Sequence, residues 1–133
     1  MRVMVIVRAN KESEAGRMPG VDVIAQMRKF NEELAEAGVL VGMGGLLPSA
    51  NGKRVKVSGG KRMVLDGPFA ETKELIAGYA IWEVASMDEA LAWVARFPDT
   101  GEDEEIEVRP MYESGPCGHT STLEPKAKAI AAE

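Results

Sequence analysis

The chain has 133 residues, with 16 Lys+Arg against 21 Asp+Glu and a net charge of −5. That balance argues against general binding to phosphate backbones, which needs many cations on one surface. The length suits one domain with a real core, and a single Cys and a single His exclude an internal disulfide and a multi-histidine metal site.

The first element is the apolar, β-branched run Val3–Val7, read as a buried central strand. It is too short for a signal-peptide core or a membrane span, so a cytoplasmic protein without membrane contact is expected. The polar segment Asn10–Gly20 reads as a loop. From Val21 to Ala37, Val23, Met27, Phe30 and Leu34 recur on one face of a helix, with Gly38 placed for a left-handed cap. Val39–Leu47 reads as a strand that Gly42, Gly44 and Gly45 bend or bulge. The glycines 42, 44 and 45 lack the ending and the strand-to-helix context of a phosphate loop.

Arg54–Ser58 and Lys61–Leu65 flank Gly59-Gly60, the signature of a β-hairpin. Ile76–Val84 is a further strand. Ser86 and Glu89 predict a capping box for a helix that turns Ala90, Leu91, Val94 and Phe97 to the core and stops at Pro98. Trp82 and Trp93 read as packing residues. Ile106, Val108 and Tyr112 alternate along a last strand. The order is β-α-β, a hairpin insertion, then β-α-β, which predicts an α+β, ferredoxin-like (split βαβ) domain over 1–113. Aliphatic residues on both strand faces predict a homodimer with sheets packed together. A flexible tail is expected at 114–133, where Cys117 and His119 are too few to hold a metal.

Charge is unevenly spread. Residues 1–65 hold 11 basic and 6 acidic side chains, and residues 66–133 hold 5 and 15. Five cations, Lys53, Arg54, Lys56, Lys61 and Arg62, fall on the hairpin, and Glu102, Asp103, Glu104, Glu105 and Glu107 form an acidic run. The two segments are either solvated faces or matching surfaces between subunits.

The most distinctive stretch is Asp66-Gly67-Pro68-Phe69-Ala70-Glu71-Thr72-Lys73-Glu74, followed by Gly78-Tyr79. It has two readings. In one, Asp66 opens a turn, Gly67 and Pro68 shape it, and Phe69 pins it to the core. In the other, Asp66, Glu71 and Lys73 form a polar cluster at a strand end, beside a glycine where a ligand can approach. Arg8, at the end of the first strand, is either a surface cation or a donor into a pocket between strands.

The runs DGPFAETKE, GYAIWEV and IEVRPMYE resemble, in order over residues 1–113, the DGPF-domain proteins, a branch of the YCII-related family. The resemblance implies a small bacterial protein with a dimeric α/β barrel. It also implies a regulatory or ligand-sensing role, because family members are encoded near, or fused to, extracytoplasmic-function sigma factors. YCII relatives carry a proposed His–Asp pair in a pocket. Here Asp66 stands for the carboxylate, but the sole histidine, His119, lies outside the resemblance.

The leading expectation is therefore a dimer that binds a small ligand, with Arg8, Asp66, Phe69, Glu71, Lys73, Gly78 and Tyr79 as candidate contacts and no metal or cofactor. Donors from Arg8, Lys73 and the hairpin would suit an anion. One alternative is a small-molecule enzyme of the YCII type with Asp66 as acid or base. Another is a partner of a transcription (sigma) factor that docks through the acidic half.

Overall fold

Val3, Val5 and Trp82 are at most 1% exposed, and together they mark the covered face of an antiparallel sheet. The computed structural model describes residues 1–113, so the expected tail, with Cys117 and His119, lies outside the described residues. In chain order the elements are β1 (Arg2–Arg8), α1 (Lys11–Glu14), α2 (Val21–Glu36), β2 (Leu40–Gly45), β3 (Lys53–Ser58), β4 (Lys61–Asp66), β5 (Ile76–Glu83), α3 (Met87–Val94) and β6 (Ile106–Pro110). Single 3₁₀ turns occupy Ser49–Asn51 and Thr72–Glu74.

Four strands form one sheet in the order β2-β5-β1-β6, with every neighbour antiparallel, while β3 and β4 pair only with each other. The two βαβ halves thus interleave, giving the split βαβ arrangement of an α+β fold. Val3 lies opposite Trp82 and Pro110, and Val5 opposite Ala80 and Val108, on the covered face. Met4 lies opposite Ile81 and Arg109, and Ile6 opposite Tyr79 and Glu107, on the other face. This alternation is the period-2 consequence of strand geometry.

The α2 helix forms where the 3.6-residue apolar spacing predicts it. Phe30 and Leu34 are buried, while Val23 and Met27 are half-buried at its less covered start. Phe30 is the hub of the core. Its ring meets Trp82, Trp93 and Phe97 edge-on, at centroid distances of 6.3, 6.3 and 5.5 Å, the arrangement ring quadrupoles favour. The helix ends as Gly38 enters the left-handed region at φ +74°. Trp82 fills the middle of this core with its indole N–H buried and unpartnered among the described residues.

Several expectations are corrected. Asn10–Gly20 is not all loop, because Asn10 and Ser13 cap each other reciprocally and nucleate α1. The strand expected to Leu47 ends at Gly45. The Ser86 hydroxyl does accept from the Glu89 N–H, but the Glu89 carboxylate reaches back to Ala85 rather than to Ser86. Leu91 points to solvent at 51% exposure, and α3 ends at Val94, short of Pro98. Tyr112 lies beyond the end of β6 and is 79% exposed. Phe69 stays out of the main core cluster and packs at the hairpin base.

One row of the sheet runs Gly45, Gly78, Val7, Ile106. The ends of β1 and β2 and the starts of β5 and β6 therefore share one end of the sheet. All the long connections, residues 9–20, 46–75 and 95–105, gather there. Among the described residues, the joints between elements at the opposite end, 37–39 and 84–86, are tight.

Candidate functional site

The groove at that busy end begins with Ser49. Its hydroxyl donates to Glu14 Oε2 at 2.6 Å, its backbone N–H donates to Glu14 Oε1 at 3.0 Å, and its oxygen accepts the Phe69 N–H at 3.1 Å. One side chain thus ties α1, the 49–51 turn and the 66–69 turn together. The 66–69 turn is pressed against the 49–52 segment. The Gly67 N–H donates to the Gly52 carbonyl at 3.0 Å, and a Cβ on Gly67 would lie 1.8 Å from the Ser49 carbonyl oxygen. Only glycine allows that approach. The Gly67–Pro68 peptide is cis.

Next to this bracket, Leu46, Leu47, Pro48, Phe69, Leu75 and Ile76 line an open groove of about 530 Å³, with Glu14, Ser49, Asn51, Arg54 and Glu74 as its polar groups. Leu46 and Leu47 are 46% and 76% exposed. The Arg54 guanidinium lies 3.9 Å from the centroid of the Phe69 ring, a cation–π contact that holds a cation at the groove wall. Glu14 is engaged by Ser49, so Arg54 and Glu74 are the charges most available to an occupant. An apolar wall with a few fixed polar groups is the usual composition of a small-molecule site.

The candidate residues from the sequence divide between two places. Phe69 lines the groove, and Glu71 and Lys73 are exposed at the adjoining 3₁₀ turn. Asp66 pairs with Lys53 across the hairpin, with its side chain 75% exposed, and does not line the groove. Arg8 and Tyr79 sit instead on the uncovered sheet face. Arg8 pairs with Glu107, which also pairs with Arg109. The Tyr79 ring lies against Gly44, where a Cβ would come within 2.9 Å of it. Gly78 is packed on the Gly44 carbonyl, 3.2 Å from where its Cβ would be. Among the described residues, no three His, Cys, Asp or Glu side chains converge as metal ligands.

The YCII-related domain model matches residues 1–113. The chain belongs to the YCII-related family. An uncharacterized protein of Rhizobium meliloti (strain 1021) is 38% identical over 94 residues, 68% of this chain and 70% of that protein. Among solved structures, 5-chloro-2-hydroxyhydroquinone dehydrochlorinase from Burkholderia phenoliruptrix AC1100, in complex with 2,5-dihydroxybenzoquinone, is similar at a TM-score of 0.47 and 16% identity. The match covers 90% of this chain and 100% of that one. No helix among the described residues is long and apolar enough to cross a membrane.

Within this YCII-related chain, sequence reasoning missed the Glu14–Ser49 bracket, Arg54 as a groove residue, and the wall formed by Leu46, Leu47 and Ile76. Glu14 and Ser49 are 35 positions apart and match no spacing rule. The leucines read as the end of a strand. The one usable signal was the basic hairpin directly before the 66–69 turn, which puts a cation beside Phe69.

Proposed function

We propose that this protein is a DGPF-type cytoplasmic homodimer that binds a small ligand, in a regulatory or sensing role, in the groove at the base of the hairpin. The observation that carries this reading is the Arg54 guanidinium held over Phe69 at the rim of an apolar groove. The matching ligand has a compact apolar or aromatic body and an anionic group facing Arg54. The dimer rests on the uncovered sheet face, where Met4, Ile6, Tyr79 and Ile81 are half-buried in the single chain and a second sheet would complete their burial.

An acid/base role for Asp66 has less support, because its carboxylate faces Lys53 and solvent rather than an enclosed volume. A thermal-shift screen of small aromatic and aliphatic carboxylates tests both readings with wild type, Arg54→Ala and Asp66→Ala. Binding in the groove gives a shift in wild type that is lost in Arg54→Ala and kept in Asp66→Ala. No shift in wild type across the library overturns the binding reading. Turnover of a hit that vanishes in Asp66→Ala supports the enzyme instead.

A further inference from the structure

The β3–β4 hairpin is exposed along both of its strands. All twelve of its strand residues are exposed, including Val55 (57%), Val57 (61%), Met63 (59%) and Val64 (60%). Its two strands hydrogen-bond only to each other. A lone two-stranded hairpin is marginal in water, and two open edges with exposed valines are a liability. Both faces mix apolar and basic groups. Arg54 and Lys56 stand opposite Leu65 and Met63, while Val55 and Val57 stand opposite Val64 and Arg62.

We propose that this hairpin is an arm that docks on the acidic 102–105 segment of a second copy of the chain. Charge complementarity picks that occupant. The hairpin carries Lys53, Arg54, Lys56, Lys61 and Arg62 against the single carboxylate Asp66, and the loop carries Glu102, Asp103, Glu104 and Glu105 with no cation among them. Residues 102–105 are exposed. Among the described residues, Lys56, Lys61 and Arg62 make no ion pair, and neither do those four carboxylates.

Placement permits a mutual fit. The hairpin leaves the sheet after β2, which forms one edge, and the acidic loop leads into β6, which forms the other. Both lie at the end marked by the Gly45–Gly78–Val7–Ile106 row. A two-fold axis parallel to the strands, through the uncovered face, preserves that end and exchanges the edges. It therefore places the hairpin of each copy on the side and at the end that carry the acidic loop of the other, twice by symmetry, with Lys56, Lys61 and Arg62 beyond the root as the cations free to reach it. The inference shares the dimer with the functional reading above but does not need a ligand.

Self-association of the full chain, measured by sedimentation equilibrium, tests it. Between about 0.1 M and about 1 M NaCl the screening length falls from about 10 Å to about 3 Å, and the dimer dissociation constant is expected to rise roughly tenfold or more. Lys56→Glu/Lys61→Glu/Arg62→Glu and Glu102→Lys/Asp103→Lys/Glu104→Lys should each be monomeric where wild type is dimeric, and an equimolar mixture of the two should dimerise again. Circular dichroism checks that each variant is folded; if one is not, the salt series on wild type decides. A dimer indifferent to salt and to both reversals leaves the sheet-face dimer standing and overturns the arm. Failure of the mixture to dimerise also overturns the arm. A monomeric wild type overturns arm and dimer together, while the thermal-shift screen still judges the groove.

Discussion

Gly67 and Ser49 touch backbone to backbone: a single methyl at position 67 would sit 1.8 Å from the Ser49 carbonyl oxygen. No flexible side-chain end is available to give way. Gly67→Ala should therefore push the 66–69 turn off the 49–52 segment and destabilise the chain by about 1–3 kcal/mol, as overpacking does. Urea unfolding of the variant against wild type measures this. An unchanged midpoint would mean that the two turns are not held together.

Ser49→Ala removes the two hydrogen bonds made by the hydroxyl and keeps the backbone N–H that donates to Glu14. The carboxylate of Glu14 loses a donor and the Phe69 N–H an acceptor. Roughly 1–3 kcal/mol is expected, with amide exchange at Phe69 accelerating. Ser49→Thr, which keeps a hydroxyl, should recover most of the loss. If Ser49→Ala matches wild type in both measurements, the bracket contributes nothing.

The core gives a sharper contrast. Phe30→Ala deletes the ring that joins Trp82, Trp93 and Phe97 and should destabilise by about 3–5 kcal/mol. Leu91→Gln, at a half-exposed position, should change stability by less than about 0.5 kcal/mol. Chemical denaturation of the two variants ranks them, and a reversed order would refute the core assignment.

That pair also marks how far the sequence could be read. Val23, Met27, Phe30 and Leu34 repeat at helical spacing, so the helix and its inner face follow from period alone. Gly59 and Gly60 both take positive φ, as the hairpin signature demands. Leu91 and Phe69 were misplaced because apolar identity does not say which neighbour is near enough to cover it. Ala90 and Val94 already fill the seam on α3, and Phe69 finds Arg54 first. The groove was hardest to foresee. It is built from residues such as Glu14, Ser49 and Phe69, which are far apart in the chain and which only the folded sheet brings together. Asp66 drew attention by its motif, yet the hairpin turns it outward to Lys53.

A pH dependence follows from the start of β1. The Met1 ammonium donates to Glu83 Oε2 at 2.8 Å. That hydrogen bond, more than any other influence, holds the Glu83 carboxyl below its ordinary 4.5 and the ammonium above its ordinary 8.0. The depressed carboxyl contributes stability that is present above 4.5 and lost as pH falls through its folded-state value. The raised ammonium contributes below 8.0 and loses its share as pH rises through its own folded-state value. Both groups are solvent-exposed, so the effect is small. Melting temperatures of wild type and Glu83→Gln across pH should show the variant flatter on both limbs. Superimposable profiles would refute this account.

The gathering of every long connection at one end of the sheet divides the molecule into two regimes. The tight-jointed end, with Val39, Trp82 and Val84 locked in place, holds the register of all four strands. The crowded end can open locally without disturbing that register, because local opening is easiest where exposed backbone outnumbers buried contacts. Away from the Ser49–Gly67 contact and the buried Ala9 and Leu75, exposed residues there can be exchanged or recharged with little effect on whether the chain folds. An occupant captured there would pay for any loop it orders out of its contact energy, while the sheet beneath stays fixed. The fold is thus a fixed sheet that carries its loops at one end, with the Ser49–Gly67 contact anchoring two of them.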